Sequence, residues 1–180
     1  MAAAEGSVVL KGRPVHVREG DLILSHDKSV MAQILGPFNS NWSHVTTIIA
    51  HDGRLRSFSV YMRDGLVIED LEVYNSDYFT RLAIVRPYPP RTAEQTLRLR
   101  LGVAEVLRAH ADNPTDAYDP GVMECLHAFF RLKPWSNDRY ICSELAARLA
   151  QAAGVWPKHL TLSVKVDDVA RAVGIVEEIY

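Results

Sequence analysis

Residues 42 to 62 read WSHVTTIIAHDGRLRSFSVYM, and this stretch decides the fold class. Its first half alternates over a β-branched run, His51-Asp52-Gly53 supplies turn chemistry, and RLRSFSVYM reads as the returning strand, so the segment predicts an antiparallel hairpin. Working outward, VVLKGRPVHV alternates in the same way and EGDLILS follows it. Together they predict two or three short strands, with Gly12 and Gly20 at turns. On the other side, GLVIEDLEV and FTRLAIVRPY are further strand candidates, after which Pro87, Pro89 and Pro90 break the pattern.

Beyond the prolines the periodicity becomes helical. Thr92 can cap a long helix ending near His110, with Leu97, Leu101, Ala104 and Leu107 as its buried stripe. Glu94 stands four residues before Arg98, and the arginines of this helix are expected on a solvated face. GVMECLHAFFRL (121–132) suggests a second helix through Val122, Leu126 and Phe129. Ser143 to Ala153 suggests a third, closing on Gly154, and DDVARAV a short terminal one. An early helix is expected over Lys28 to Leu35, stopped by Gly36-Pro37. Strands followed by helices argue α+β rather than alternating βαβ.

Composition excludes several classes of function. The 180 residues are 48% hydrophobic and 23% charged, a mixture that rules out wholesale disorder and a coiled coil and fits one domain over 1–180. Twenty basic residues against twenty-two acidic, with no basic tract, give no footprint for a nucleic acid. The longest apolar stretches, such as VTTIIA and LAIV, are far too short for a transmembrane segment. The opening MAAAEGSVVLKGRP lacks the pattern of a signal peptide, so the expected location is cytoplasmic, or outside by a route that needs no signal peptide.

Cys125 and Cys142 are too few for a disulfide scaffold and form no CxxC. The seven histidines show no HExxH spacing, so neither a metal nor another cofactor is expected. Cys142 lies between Tyr140-Ile141 and the helix that starts beside it. A thiol at a helix N-terminus is drawn toward the thiolate, the form that attacks carbonyls, and an imidazole is then needed to handle its proton. His44, at the start of a β-branched strand after Trp42 and Ser43, is the histidine that a rigid strand could hold in place.

EGDLIL (19–24), NWSHVTTII (41–49) and RYICSELAARLAQAAG (139–154), in that order, resemble the circularly permuted branch of the NlpC-type papain-like cysteine peptidases, the YiiX-like proteins, which are related to the lecithin retinol acyltransferase group. The motifs of that family run GD-apolar, SHVG-apolar, a polar residue on the next strand, and aromatic-x-CSE at a helix start. The resemblance implies a papain-like antiparallel sheet packed against helices, with the nucleophile at a helix N-terminus. It implies a peptidase or amidase in which Cys142 attacks an amide, His44 is the general base and a thioester forms. The substrate class is then a peptide, cell-wall peptides included, while related branches act on acyl lipids.

Glu144 matches the acidic residue of CSE and is expected to be structural. Asp21 matches the GD and is expected at a turn or on the surface. The departure lies at the third catalytic position, where the family carries Glu, His or another strong acceptor. Counting across the turn brings that position to Ser57, with Ser59 two residues on and sharing its face, and with His51 and Asp52 as turn candidates. A serine orients an imidazole without supplying charge. A catalytically degenerate binding module of the same fold is therefore the alternative reading. Tyr140 and Trp135 are candidates for the cleft or for core packing, and the loop from Asp112 to Gly121 is expected to be a surface connection.

Overall fold

The computed structural model describes residues 3–28, 42–61, 64–117, 140–157 and 165–180. The predicted helices at Lys28 to Leu35 and at 121–132, together with Cys125 and Trp135, lie outside the described residues apart from Lys28 itself.

Two strands, β1 (Glu5–Leu10) and β2 (Arg13–Arg18), form an antiparallel hairpin. Its turn, Lys11-Gly12, takes positive φ at both residues, 50° and 75°, as a type I′ turn requires. Six more strands build one antiparallel sheet: β3 (Leu22–Asp27), β4 (His44–His51), β5 (Arg54–Tyr61), β6 (Gly65–Asp70), β7 (Phe79–Pro87) and β8 (Gly174–Glu178). Their spatial order is β6-β5-β4-β3-β7-β8. The expected hairpin is β4–β5, with Asp52 and Gly53 at φ 49° and 75°.

Strand alternation then sorts the core into layers. Ile23, Ile48, Leu82 and Ile84 point to one face, where Leu10, Val15 and Val17 of the β1–β2 hairpin and Tyr74 of a 3-10 turn (Leu71–Asn75) cover them. Leu22, Leu24, Val45, Ala83 and Val85 point to the other, under α2 (Cys142–Ala152) and α3 (Val166–Val173). Ile49, Phe58 and Val60 continue that face and meet Leu145 and Leu149 of α2 and Leu99 and Val103 of α1 (Ala93–Ala109). The two sets of contacts sandwich the central strands, so β3 and β4 are buried on both sides.

Three expectations need correction. GLVIEDLEV is a strand only to Asp70, and Leu71 onward turns into the 3-10 segment so that Leu71 and Tyr74 reach the core. β8 was not anticipated: GIVEE pairs with β7 as an edge strand, with Ile175 and Val176 exposed.

The stripe on α1 is rotated from the predicted one. Leu97 and Leu101 are 54% and 61% exposed, whereas Thr96, Leu99, Gly102, Val103 and Val106 are buried. Gly102 decides the rotation, because a Cβ there would come within 2.9 Å of the Ala152 Cβ, and only glycine lets α1 and α2 approach so closely. Rotation also carries Arg100 off the solvated face. Its Nε and Nη2 donate to Glu19 Oε1 and Oε2 at 2.7 and 2.6 Å, and the Glu19 side chain is 1% exposed. Arg98, by contrast, stays exposed and pairs with Glu94 as expected.

Thr92 caps α1 in full. Its hydroxyl accepts the Gln95 N–H at 3.2 Å, and Gln95 Oε1 accepts the Thr92 N–H at 2.9 Å. Thr92→Ala removes half of this reciprocal box and is expected to destabilise the protein by about 1 kcal/mol. Urea denaturation should register this as a lower midpoint with an unchanged slope.

Candidate active site

His44 is the first residue of β4 and stands in register with Ser25 of β3. From the turn, His51 pairs with Arg54 and Thr47 with Phe58. Continuing that register sets Thr46 opposite Ser59 and His44 opposite Tyr61. The contacts follow: His44 Nε2 lies 2.9 Å from Ser59 Oγ, and the imidazole stacks on the Tyr61 ring at 4.5 Å between centroids and 19° between planes.

Ser59 is thus the serine against the imidazole, which corrects the expectation of Ser57. Ser57 sits opposite Ile48, two pairs closer to the turn, and donates to the Glu69 carbonyl at 3.3 Å. Both serines share the face of His44, so the parity of the expectation holds and the distance along the strand does not.

The two hydrogen bonds at Ser59 are satisfied together in one tautomer of His44. A hydroxyl has one proton, and Ser59 Oγ donates its proton to the Val45 carbonyl at 3.0 Å. Toward His44 it therefore accepts, so Nε2 carries the hydrogen and Nδ1 keeps its lone pair. Among the described residues Nδ1 has no hydrogen-bond partner, and the residue retains 8% exposure. Burial pushes the His44 pKa down from 6.5 to about 4, offset in part by the Asp27 carboxylate. At neutral pH the imidazole is therefore uncharged and can accept a proton at Nδ1.

Around this group lies a buried polar cluster that the sequence reading did not single out. The Tyr74 hydroxyl donates to Thr46 Oγ1 at 2.8 Å, and the Tyr61 hydroxyl donates to Glu69 Oε2 at 3.3 Å. Burial raises the pKa of both phenols and of Glu69. The two phenols are held neutral and add polar groups that bring no charge of their own, a setting that orients an imidazole by hydrogen bonds and stacking.

The lowered pKa makes His44 an acid-sensitive element. The unfolded chain takes up a proton near pH 6.5 and the folded one near 4, so between these values the unfolded state binds more protons and stability falls with falling pH. The contribution is fully present above about 6.5 and is lost down to about 4, amounting to roughly 3 kcal/mol. Unfolding free energies at pH 7 and pH 4.5 should differ less in His44→Gln than in the wild type.

Cys142 opens α2, preceded by Ile141 in extended conformation, with no side-chain cap on the helix. The thiol is half-buried and packs at the margin of the cluster that holds Leu22, Leu24, Val45 and Ala146. Its helix start matches the expectation to within one residue. The structure brings His44 together with Ser59 and Tyr61, and the hydrogen bonds of the imidazole among the described residues do not include Cys142.

Other predicted residues take structural positions. Glu144, in the first turn of α2, is 3% exposed. Asp21 is not a surface group: it is 3% exposed, and its Oδ2 accepts the Arg18 N–H at 2.9 Å to close the β2–β3 turn. Burial raises its pKa. His51 and Asp52 face each other at 3.3 Å on the β4–β5 turn, at the opposite end of β4 from His44. Tyr140 is buried edge-on to His110 with Arg148 over its ring, a core position.

Among the described residues no three His, Cys, Asp or Glu side chains converge as metal ligands, and no helix is long and apolar enough to cross a membrane. No family model matches the sequence, and no curated protein matches it. The fold is similar to a solved structure, described as the metalloprotein YiiX from Escherichia coli O157:H7, with a TM-score of 0.60 and 16% identity. The match covers 90% of this chain and 96% of that one. The α+β architecture is thus YiiX-like.

Proposed function

We propose that the protein is a cysteine hydrolase of papain-like design that cleaves an amide or related acyl bond, with Cys142 as nucleophile and His44 as general base. One observation carries this reading: Ser59 takes the Nε2 side of a neutral, strand-held imidazole and leaves the Nδ1 lone pair without a partner among the described residues. A base that serves a thiol needs one anchored nitrogen and one available nitrogen. In this reading the sulfur attacks the acyl carbon and the thiol proton passes to His44 Nδ1; alternation turns the His44 side chain to the sheet face away from α2, so the two groups must meet around the end of β4, where His44 is the first residue. His44 then returns the proton to the leaving amine. The Cys142 backbone N–H, at the start of α2, is suited to receive the oxyanion, since the first turn of a helix presents unpaired N–H groups. Water resolves the thioester by the same proton path in reverse.

Ser59 replaces the charged or strongly accepting group that usually orients such an imidazole. A hydroxyl fixes direction without stabilising an imidazolium, so catalysis rests more on geometry here than on charge. Ser59→Ala is expected to lower kcat/KM by about tenfold, the value of one neutral hydrogen bond. Ser57→Ala, two pairs nearer the turn, should leave it within about twofold.

The neighbour's description as a metalloprotein does not alter this mechanism. Among the described residues no set of His, Cys, Asp and Glu side chains fits a metal centre. The reading is tested by incubating the protein with p-nitrophenyl acetate and with a short N-acylated peptide ester, quenching in acid, and mapping acylation by peptide mass spectrometry. Acyl mass on the peptide holding Cys142 supports it. Turnover that survives Cys142→Ala, or an acyl group found only elsewhere, overturns it.

A further inference from the structure

A cavity of about 450 Å³ opens where β2 turns into β3 and the chain leaves β7 through Pro87 and Pro90. Asp21 at its floor is four residues along β3 from Ser25, the partner of His44, which places it about 13 Å from the imidazole end of the sheet. The cavity is therefore separate from the candidate active site and does not depend on the function proposed for it.

Three guanidiniums line the cavity, and two of them are committed. Arg18 pairs with Glu5 at 3.2 Å, and Arg86 pairs with Glu177 at 2.6 Å while donating to the His16 carbonyl at 2.8 Å. Of the carboxylates, Glu19 is taken by the fork of Arg100. Asp21 accepts a backbone N–H. Arg91 is different: its Nε and Nη1 are buried and have no hydrogen-bond partner among the described residues.

The site is built to hold that guanidinium. Gly20, at φ +92°, lies directly beneath it, and a Cβ at Gly20 would fall 1.5 Å from Arg91 Nη1. Any side chain at position 20 would expel the group. Burial pulls the Arg91 pKa down to about 10, with Asp21 and Glu19 acting against the fall, so it stays charged at neutral pH. A buried cation with unmet N–H groups is costly unless an acceptor meets it. A planar guanidinium fork is matched by the oxygens of a carboxylate or phosphate.

We propose that this cavity is an oxyanion-binding site in which Arg91 receives the carboxylate or phosphate group of a small ligand, whose apolar part rests against Tyr88 and Ile175. Asp21 stands close enough to disfavour a second negative charge beside the first, so a ligand with one anionic group fits better than a polyanion.

Calorimetric titration of the full chain at neutral pH and fixed ionic strength, with inorganic phosphate in one arm and N-acetylglycine in the other, tests the assignment. Saturable binding on the order of 1 mM or tighter is expected in at least one arm, weakened at least tenfold in Arg91→Gln. Saturation by phosphate alone identifies a phosphoryl ligand, and saturation by N-acetylglycine alone a carboxylate. If Arg91→Gln fails to fold, Arg91→Lys gives the same comparison, because a single ammonium lacks the fork and should bind several-fold more weakly. Absence of saturation in both arms, or equal binding by the wild type and the Arg91 variant, would overturn the proposal.

Discussion

Cys142→Ala should reduce hydrolysis of an activated acyl substrate by at least about a thousandfold, leaving only the residue of rate that binding and oxyanion contacts supply. The sulfur has no substitute in the proposed mechanism. Within α2 the next side chains, Ser143 and Glu144, are 3% exposed and committed to the interior, so neither can take over the attack. Cys142→Ser is expected to lose nearly as much, because an alcohol needs far stronger deprotonation than a thiol and Ser59 brings no charge to help His44. Position 142 has a small side chain at the margin of an apolar cluster, so alanine should fold. Unchanged thermal unfolding would then separate the chemical loss from a structural one.

His44→Ala is expected to lower kcat/KM by about a hundredfold to ten-thousandfold, the range for removing a positioned general base. The wild-type profile gives a second readout. With a His44 pKa of about 4, the imidazole is neutral from pH 5 upward, so the acid limb of kcat/KM should fall near 4 rather than near the 6.5 of an ordinary histidine. His44→Ala should abolish that limb along with the rate. A flat profile through pH 4 in the wild type would show that another group handles the proton.

Much of this arrangement is legible in the sequence, for physical reasons that vary by element. The β4–β5 hairpin is plain because alternation and turn chemistry agree, with Asp52 and Gly53 both able to take positive φ. α2 is plain because Gly154, at φ +74°, ends it. The exchange of Ser57 for Ser59 arises from register: a two-residue loop at Asp52-Gly53 pairs His51 with Arg54, and His44, seven residues before His51, then lands opposite Tyr61. Counting pairs outward from the loop would have found both Tyr61 and Ser59.

The α1 stripe was harder to place, since apolar residues occur on two adjacent faces, and the choice between them is made by Gly102 against Ala152 and by the reach of Arg100 to Glu19. Neither partner is visible from the helix alone. β8 is short, lies at a sheet edge and leaves Ile175 and Val176 exposed, so its pairing with β7 leaves no core periodicity to read. The Arg91 cavity draws its charged residues from β1, β2, the β2–β3 turn, β7 and the segment before α1, a grouping that only the fold creates.

The central claim, a thiol served by the His44 imidazole, is tested most directly by alkylation. The rate of iodoacetamide modification at Cys142 is followed against pH by peptide mass spectrometry in the wild type and in His44→Ala, with Cys125 as the internal reference. The account predicts that at neutral pH Cys142 is alkylated at least about tenfold faster than Cys125, because the neutral His44 imidazole takes the thiol proton, and that this excess is lost in His44→Ala while Cys125 is the same in both proteins. An unperturbed or inert Cys142 that does not respond to the loss of His44 would contradict it and leave the fold as a binding module.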